Sequence, residues 1–169
     1  MNARLPVLSR GRHPTPSQGQ CLLELVSELS GEVWSDRPAA VHPVLASVAR
    51  CVNDESTADG RQRLIPFAAQ MIGTDQAKEP VSVALVTHCR TVALRRPVHE
   101  LTGWDRLAAP SLAYRFCVAP LAAAGATRTV AAAAGAQKDD VLHHLLADCV
   151  AICHGHDPTT TNWWTEWGE

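Results

Sequence analysis

The chain has 169 residues and a formal net charge of −2 at pH 7, a length that suits one domain with a single hydrophobic core. A nearly neutral chain lacks the strong positive field with which proteins bind nucleic acid or anionic membranes, so we expect neither partner. Apolar residues make up 46% of the chain but aromatic residues only 5%, and Ala and Leu dominate the central and C-terminal stretches. This composition predicts an all-α, single-domain helical bundle of about six to eight helices.

The first 17 residues contain three prolines and show little apolar periodicity, so they predict an extended leader that either packs on the body or stays mobile. The leader lacks the continuous apolar stretch of a secretory signal. Charged residues interrupt every later apolar run before it reaches the roughly 20 residues that cross a bilayer. We therefore expect a cytoplasmic protein whose six cysteines are reduced thiols.

Two helices with clear ends are predicted after the leader, at the start of a bundle that we assign to residues 18–156. The first should follow Ser17 and run through CLLELVSELS, whose apolar side chains recur on one face, and Gly31 should end it. The second should begin at Pro43, because proline suits the first helical position, and should end near Asn53.

Prolines and glycines divide the middle of the chain. Thr57 and Asp59 are suitable caps for a third helix through GRQRLIPFAAQMIG, in which Pro66 should cause a kink or a split. A fourth helix is predicted from about residue 79 to residue 95, and Pro97 should stop it.

The Ala-rich region 107–135 should form two or three short helices in close contact, because prolines and a glycine cut it at Pro110, Pro120 and Gly125. The last long helix is predicted from about Gln137 to His154. The residues after it, 157–169, form a Trp-rich tail.

The segment 21–74 contains CLLELVSELSGEVWSDRP, then VHPVL and VND. This pattern resembles that of a family of small bacterial proteins with no assigned activity. The resemblance covers about a third of the chain and implies a bacterial, cytosolic, helical protein, but it transfers no site residue. The family often has His where this chain has Arg37, so a ligand or base at that position would be absent here.

The same segment gathers polar side chains around two helix ends, and we treat them as a second candidate site. They are Glu24, Glu32, Asp36, His42, Asn53 and Asp54. Helix capping is the alternative explanation for Asp36 and Asn53.

The stretch DCVAICHGHD near the end of the last helix is the first candidate site. Cys149, Cys153 and His156 would project from one face if the helix continued past Gly155. Thiolates and imidazoles are ligands for zinc and other transition metals, and His88 is the candidate fourth metal ligand by residue type. The alternative is that both cysteines are apolar core filler, which the lack of any Cys-x2-Cys pair favours.

Carboxylates and histidines alternate on the same helix. Asp140 and His144 are four residues apart, as are His144 and Asp148, and Asp139 lies four before His143. A carboxylate could raise the pKa of each histidine, and Asp140 with His144 could then act as a catalytic acid–base pair. The alternative is an exposed helical face with ordinary ion pairs.

The tail NWWTEWGE places Trp163, Trp164 and Trp167 within five positions. Three indoles present a large apolar surface, so we expect them to dock on the bundle, to close a pocket, or to form a homodimer interface.

We therefore expect a cytosolic bacterial helical protein that binds a transition metal ion, zinc-like, through Cys and His, as a structural site or as an accessory enzyme of a biosynthetic pathway. The alternative is a non-enzymatic interaction or regulatory module that uses its Trp-rich tail for a partner or for self-association. A metal-free enzyme using Asp140 and His144 is a third possibility. The small-molecule substrate or protein partner stays open, and no glycine-rich loop predicts nucleotide binding.

Overall fold

The computed structural model describes residues 6–77, 81–95, 111–158 and 163–165, with the side chain of Trp164 left out. Seven α-helices and no strand occur in this part of the chain, which confirms the all-α bundle. Their bounds are α1 Leu22–Leu29, α2 Pro43–Glu55, α3 Ala58–Gln62, α4 Ile65–Met71, α5 Val81–Leu94, α6 Ala119–Ala133 and α7 Lys138–Cys153.

Helix α6 lies at the centre of the bundle and packs mainly against α2 and α5, while α7 covers α2, α5 and α6. Small side chains make this close approach possible, because Ala119, Ala123 and Ala124 point into the core. The large buried side chains around them come from the other helices; they include Leu22, Leu45, Leu85 and Leu142.

The segment before α1 packs on the body of the protein. Leu8 is only 2% exposed, and its backbone N–H and C=O both bond to the side chain of Gln62, at 2.9 and 2.8 Å. Ser9 N donates to Gln20 O at 2.7 Å, so the two ends of the segment lie side by side. Of the two alternatives that the sequence left open for this segment, the structure supports packing.

Helix α1 begins four residues after the position that Ser17 suggested, because Cys21 and Glu24 form its capping box. The Glu24 carboxylate accepts the Cys21 backbone N–H at 2.7 Å. This arrangement satisfies one of the donors that a helix leaves open at its start.

Helix α2 begins at Pro43, as predicted, and the buried ring of His42 caps it. Val44 N donates to His42 Nδ1 at 3.3 Å, and His42 Nε2 lies 3.3 Å from Ser82 Oγ. An Nδ1 that accepts a hydrogen bond requires a neutral imidazole. Burial, with a smaller contribution from the positive charge of Arg115, lowers the pKa of His42 from 6.5 to about 4.

Pro66 splits the predicted third helix in two, which is one of the two effects expected of it. Helix α3 ends at Gln62 and α4 begins at Ile65, with Pro66 in its first turn, where its missing N–H is not needed. Thr57 caps α3, as expected, by accepting the N–H of Gly60 at 3.1 Å.

The expectation that Pro120 and Gly125 break the Ala-rich region is wrong. A π-helical turn, Tyr114–Val118, leads directly into α6, and Ala119 N donates to Tyr114 O. This wider turn accommodates Pro120 at the start of α6, where a proline has no donor to lose. Pro110 lies outside the described residues.

The continuous helix Tyr114–Ala133 is long and apolar enough to cross a bilayer by length and composition, with 33% of its apolar window buried in the fold. The expectation that charged residues interrupt every such run therefore does not hold for this helix. It also supplies buried side chains to the core, among them Thr127 and Val130.

Candidate functional site

The predicted metal ligands do not converge in the way that the sequence suggested. Helix α7 ends at Cys153, and Gly155 takes a left-handed conformation with φ of +81°. The chain turns back there, because His156 N donates to Ala151 O at 3.0 Å. His156 is exposed while Cys149 and Cys153 are buried, so the expectation of helical winding as far as His156 is wrong.

Cys149 instead faces a cysteine from α5. Its Sγ lies 3.8 Å from Sγ of Cys89, and both residues are fully buried. The hydrogen bond with Cys89, together with burial, raises the pKa of Cys149 well above its usual range, and burial raises the pKa of Cys153 to about 12. Both thiols therefore stay protonated at neutral pH, which is the state of packed cysteines.

His88 pairs with a carboxylate rather than with the sulfurs. His88 Nε2 lies 3.0 Å from Asp148 Oδ2, and the same oxygen accepts the indole N–H of Trp163 at 2.8 Å. The ring of Trp163 lies 5.2 Å from that of His144, measured between centroids. Asp148 thus joins α5, α7 and the one tryptophan of the tail whose side chain is described.

The structure tests the predictions for the Trp-rich tail only in part. Trp163 packs against the core, which is one of the outcomes expected for the tail. Trp167 and the side chain of Trp164 lie outside the described residues, and self-association through the tail stays a prediction.

The proposed acid–base pair is exposed to solvent. Asp140 bonds Arg63 Nη2 at 2.7 Å, with both side chains more than half exposed, and His144 is also exposed. His143 differs from expectation as well, since its Nε2 bonds Gly60 O at 2.9 Å and burial lowers its pKa, although the charges of Asp139 and Asp140 act to raise it. The geometry gives no support to catalysis by Asp140 and His144.

Across the described ranges of the chain, no group of three or more His, Cys, Asp or Glu side chains lies close enough together to hold a metal ion. The transition-metal site remains a prediction from the sequence.

The second predicted polar cluster does not form one site, and its six residues divide into four parts. Three of them bind the segment before α1. Glu24 accepts the His13 backbone N–H, Asn53 donates to the Ser9 carbonyl, and Asp54 accepts the Gly11 backbone N–H. Glu32 accepts the backbone N–H groups of Ala39 and Ala40 at 2.6 and 2.8 Å, so it shapes a loop. His42 lies apart from these as the cap of α2.

Asp36, the remaining member of that cluster, stands beside a cleft. Its carboxylate lies 3.5 Å from Nε of Arg12 and 3.4 Å from Nε of Arg50. Arg50 Nη2 also donates to the Asp36 carbonyl at 2.8 Å. Asp36 therefore fixes the orientation of Arg50, whose five N–H donors are only partly used by these two contacts.

The cleft has a volume of about 840 Å³, and three arginines line it against a single aspartate. The arginines are Arg37, Arg50 and Arg115, and the aspartate is Asp75. Arg115 Nη2 donates to Asp75 O at 2.9 Å, so it too is held in place by the backbone. The wall of the cleft therefore carries an excess of positive charge.

The other side of the cleft is apolar. The π turn and the start of α6 present Phe116 and Leu121, which are 59% and 74% exposed. Cys117 lies between them and is exposed, whereas the other five cysteines are buried. Large apolar side chains left in solvent beside oriented cations are a feature of ligand-binding surfaces.

Sequence reasoning missed two of the three arginines of the cleft wall, Arg50 and Arg115, and two polar residues of the leader, Ser9 and His13. Arg50 and Arg115 are 65 residues apart in the sequence, and no local pattern predicts that such residues meet. For His13, the available indication was Glu24 at the third position of α1, which is a typical place for a capping carboxylate.

No family model, no curated protein and no solved structure matches this chain. The resemblance to a bacterial family therefore also remains a prediction.

Proposed function

We propose that this protein binds a small anionic molecule with an apolar body in the cleft between the start of α2 and the π turn. The observation that carries the proposal is the pairing of three guanidinium groups with an exposed apolar wall in one cavity of about 840 Å³. This volume lies within the range of about 300–1,000 Å³ that is usual for small-molecule sites.

The anionic group of the ligand is a carboxylate or a phosphate. Guanidinium groups bind both through paired N–H donors, and they do so best when the protein already fixes their orientation. Asp36 fixes Arg50 and the Asp75 carbonyl fixes Arg115, so little side-chain freedom is lost when an anion binds.

The apolar part of the ligand would cover Phe116 and Leu121, which are exposed in the free protein. Removing this apolar surface from water contributes favourably to the free energy of binding, and this contribution does not depend on the charge of the ligand. The proposal therefore requires an anionic group and an apolar body in one molecule, since the first contacts only the arginines and the second only the apolar wall.

Calorimetric titration with decanoate, decyl phosphate and decanol tests this requirement. The two anions should bind at least about tenfold more tightly than decanol, because a hydrogen bond to a charged group contributes about 1.5–3 kcal/mol. Arg37 is exposed, so Arg37→Gln should keep the fold and weaken decanoate binding by a similar factor.

Arg128→Gln is the matched control, because Arg128 is an exposed arginine of α6 that does not line the cleft. Decanoate should also slow the reaction of Cys117 with a bulky thiol reagent, since that thiol is in the cleft wall. Equal affinity for decanoate and decanol, or equal effects of Arg37→Gln and Arg128→Gln, would disprove the proposal.

A further inference from the structure

A serine, a histidine and a glutamate lie in a chain of hydrogen bonds at the segment before α1. Ser9 Oγ is 3.0 Å from His13 Nε2, and His13 Nδ1 is 2.9 Å from Glu24 Oε2. These distances fall in the range for a nucleophile, its general base and the group that orients the base. None of the three residues lines the arginine cleft, so they constitute a separate site.

The protonation pattern follows from the hydrogen bonds of Glu24. Its carboxylate is 0% exposed and accepts the backbone N–H groups of His13 and Cys21 at 2.5 and 2.7 Å. A carboxylate offers acceptor atoms to these N–H groups, so we assign Nδ1 of His13 as the donor of the third bond. Nε2 is then the acceptor atom and faces the Ser9 hydroxyl.

The Ser9 hydroxyl is arranged to donate to this imidazole. It accepts the Gln20 N–H at 3.1 Å, and its own proton can go to His13 Nε2 at 3.0 Å or to Gln20 O at 3.3 Å. The shorter distance favours the imidazole. The Gln20 N–H occupies one of the two lone pairs of Ser9 Oγ, so the other lone pair is available for nucleophilic attack.

The carboxylate is the buried end of the chain of hydrogen bonds. Glu24 is fully buried, the His13 side chain is 12% exposed, and Ser9 is partly exposed. The charged end is therefore shielded from water, while His13 and Ser9 are partly exposed, as in Ser-His-Asp sites.

Two contacts from outside the chain of hydrogen bonds fix its geometry. Asn53 Nδ2 donates to Ser9 O at 3.0 Å, and Trp34 Nε1 donates to His13 O at 2.8 Å. Catalytic groups need such support from neighbouring side chains to stay in a productive arrangement.

Gly19 closes one side of the pair, and only glycine fits there. A Cβ at this position would lie 2.6 Å from both Ser9 Oγ and His13 Cδ2. Its φ of +136° is also one that other residues rarely adopt. Substitution of Gly19 would therefore push Ser9 and His13 apart without changing either of them.

We propose that Ser9, His13 and Glu24 form a catalytic site for acyl transfer from small esters. Ser9 Oγ attacks the ester carbonyl carbon and forms a C–O bond, while its proton passes to His13 Nε2. The C–O bond to the leaving alcohol then breaks, and the alcohol takes the proton from Nε2. Water, activated by the same imidazole, releases the acid and restores the Ser9 hydroxyl.

A fluorophosphonate probe tests this site without knowledge of the natural ester. Ser9 Oγ should displace fluoride and form a covalent phosphonyl adduct, and peptide mass spectrometry should locate the adduct on Ser9. His13→Asn should slow labelling by about 100-fold, since a general base typically contributes at least that much. Ser9→Ala should abolish labelling.

Ser17→Ala is the matched control, because Ser17 is an exposed serine of the same segment. It should label as the wild type does. Gly19→Ala should also slow labelling, although all three functional groups are kept, which separates loss of geometry from loss of chemistry. Circular dichroism identifies any variant that fails to fold, and Ser9→Ala, which removes one oxygen, is the variant least prone to this.

Hydrolysis of p-nitrophenyl acetate gives a second readout, with a rate in Ser9→Ala at least about tenfold below that of the wild type. The proposal is overturned if the folded wild type takes up no probe on Ser9, or if His13→Asn labels at the wild-type rate. In either case the three residues only attach the segment to α1.

Discussion

The carboxylate of Asp139, in the first turn of α7, accepts the backbone N–H of Thr57, the N-cap of α3, at 2.9 Å. It also accepts the Thr57 hydroxyl. Burial acts to raise the pKa of Asp139, but these two bonds, with the nearby His143 and Lys138, lower it overall. One side chain thus satisfies the start of a helix that is 82 residues away in sequence.

This contact depends on Gly60. A Cβ there would lie 2.2 Å from Asp139 Cγ, and Asp139 cannot move without losing its bonds to Thr57. Gly60→Ala should therefore lower the free energy of unfolding by about 1–3 kcal/mol. Gly125→Ala is the control, since nothing lies within 4 Å of the added Cβ; it should raise stability by about 0.5–1 kcal/mol. Urea denaturation measures both, and equal effects of the two substitutions would contradict the prediction.

Acid should destabilise the fold through His42. Its pKa in the folded state is lowered to about 4. Between about pH 6.5 and 4, His42 is therefore protonated in the unfolded chain but neutral in the folded chain. The contribution of His42 is present above the unfolded pKa and falls by up to about 3 kcal/mol as the pH drops through that window. His42→Asn keeps a side-chain acceptor for capping but does not titrate. Chemical denaturation at a series of pH values should give a flatter profile for the variant, and parallel profiles would refute the assignment.

Asp148 should contribute more to stability than Asp140, although both lie on α7. Removing Asp148 breaks its contact with the His88 ring and its hydrogen bond from the Trp163 indole N–H, which lie partly buried between α5, α7 and the tail, and this costs about 1–3 kcal/mol. Asp140 pairs with Arg63 in solvent, and such pairs contribute at most about 1 kcal/mol. Asp148→Ala and Asp140→Ala should differ accordingly in thermal unfolding, and only the first should change tryptophan emission. Similar melting temperatures for both variants would be evidence against the role of Asp148.

The predicted transition-metal site can be tested by metal analysis of protein purified without an affinity tag. Binding through Cys149 and Cys153 requires loss of the protons that burial keeps on both thiols, so metal content should rise with pH. The prediction requires stoichiometric zinc, nickel, copper or iron that is lost in Cys149→Ser and kept in Cys117→Ser. Metal-free protein at every pH would eliminate it.

Self-association through the tail has a direct test in light scattering with and without residues 159–169. The dimer hypothesis requires a dimer in the full chain and a monomer after deletion. Trp163 bonds Asp148 within the same chain, so the truncated protein should also be less stable. A full chain that is monomeric at high concentration would remove this hypothesis.

Local patterns predicted those helix ends whose causes are local. Pro43, Thr57 and Pro66 act through their own backbone or their nearest neighbours, and the structure has each where the sequence placed it. Pro120 was misjudged because the π turn before it changes the bonding pattern, and residue type alone does not reveal such a turn.

The sites were harder to predict because tertiary contacts assemble them. Glu24 and Asp36 were among the candidate residues, but their partners Arg12, His13 and Arg50 were not. The leader has neither helical nor strand periodicity, so its order depends on bonds to Asn53, Asp54 and Gln62. Periodicity carries no information about such contacts.

The attachment of the leader also determines the order of events during synthesis. Ser9 leaves the ribosome 44 residues ahead of Asn53, so its segment cannot dock on α2 until that helix has been translated. Contacts of such long sequence separation form late and slow the approach to the native state. Because Asn53 Nδ2 holds the Ser9 carbonyl, the proposed Ser9 site should reach its final geometry only after α2 has docked, and a refolding experiment should recover helical circular dichroism before it recovers probe labelling.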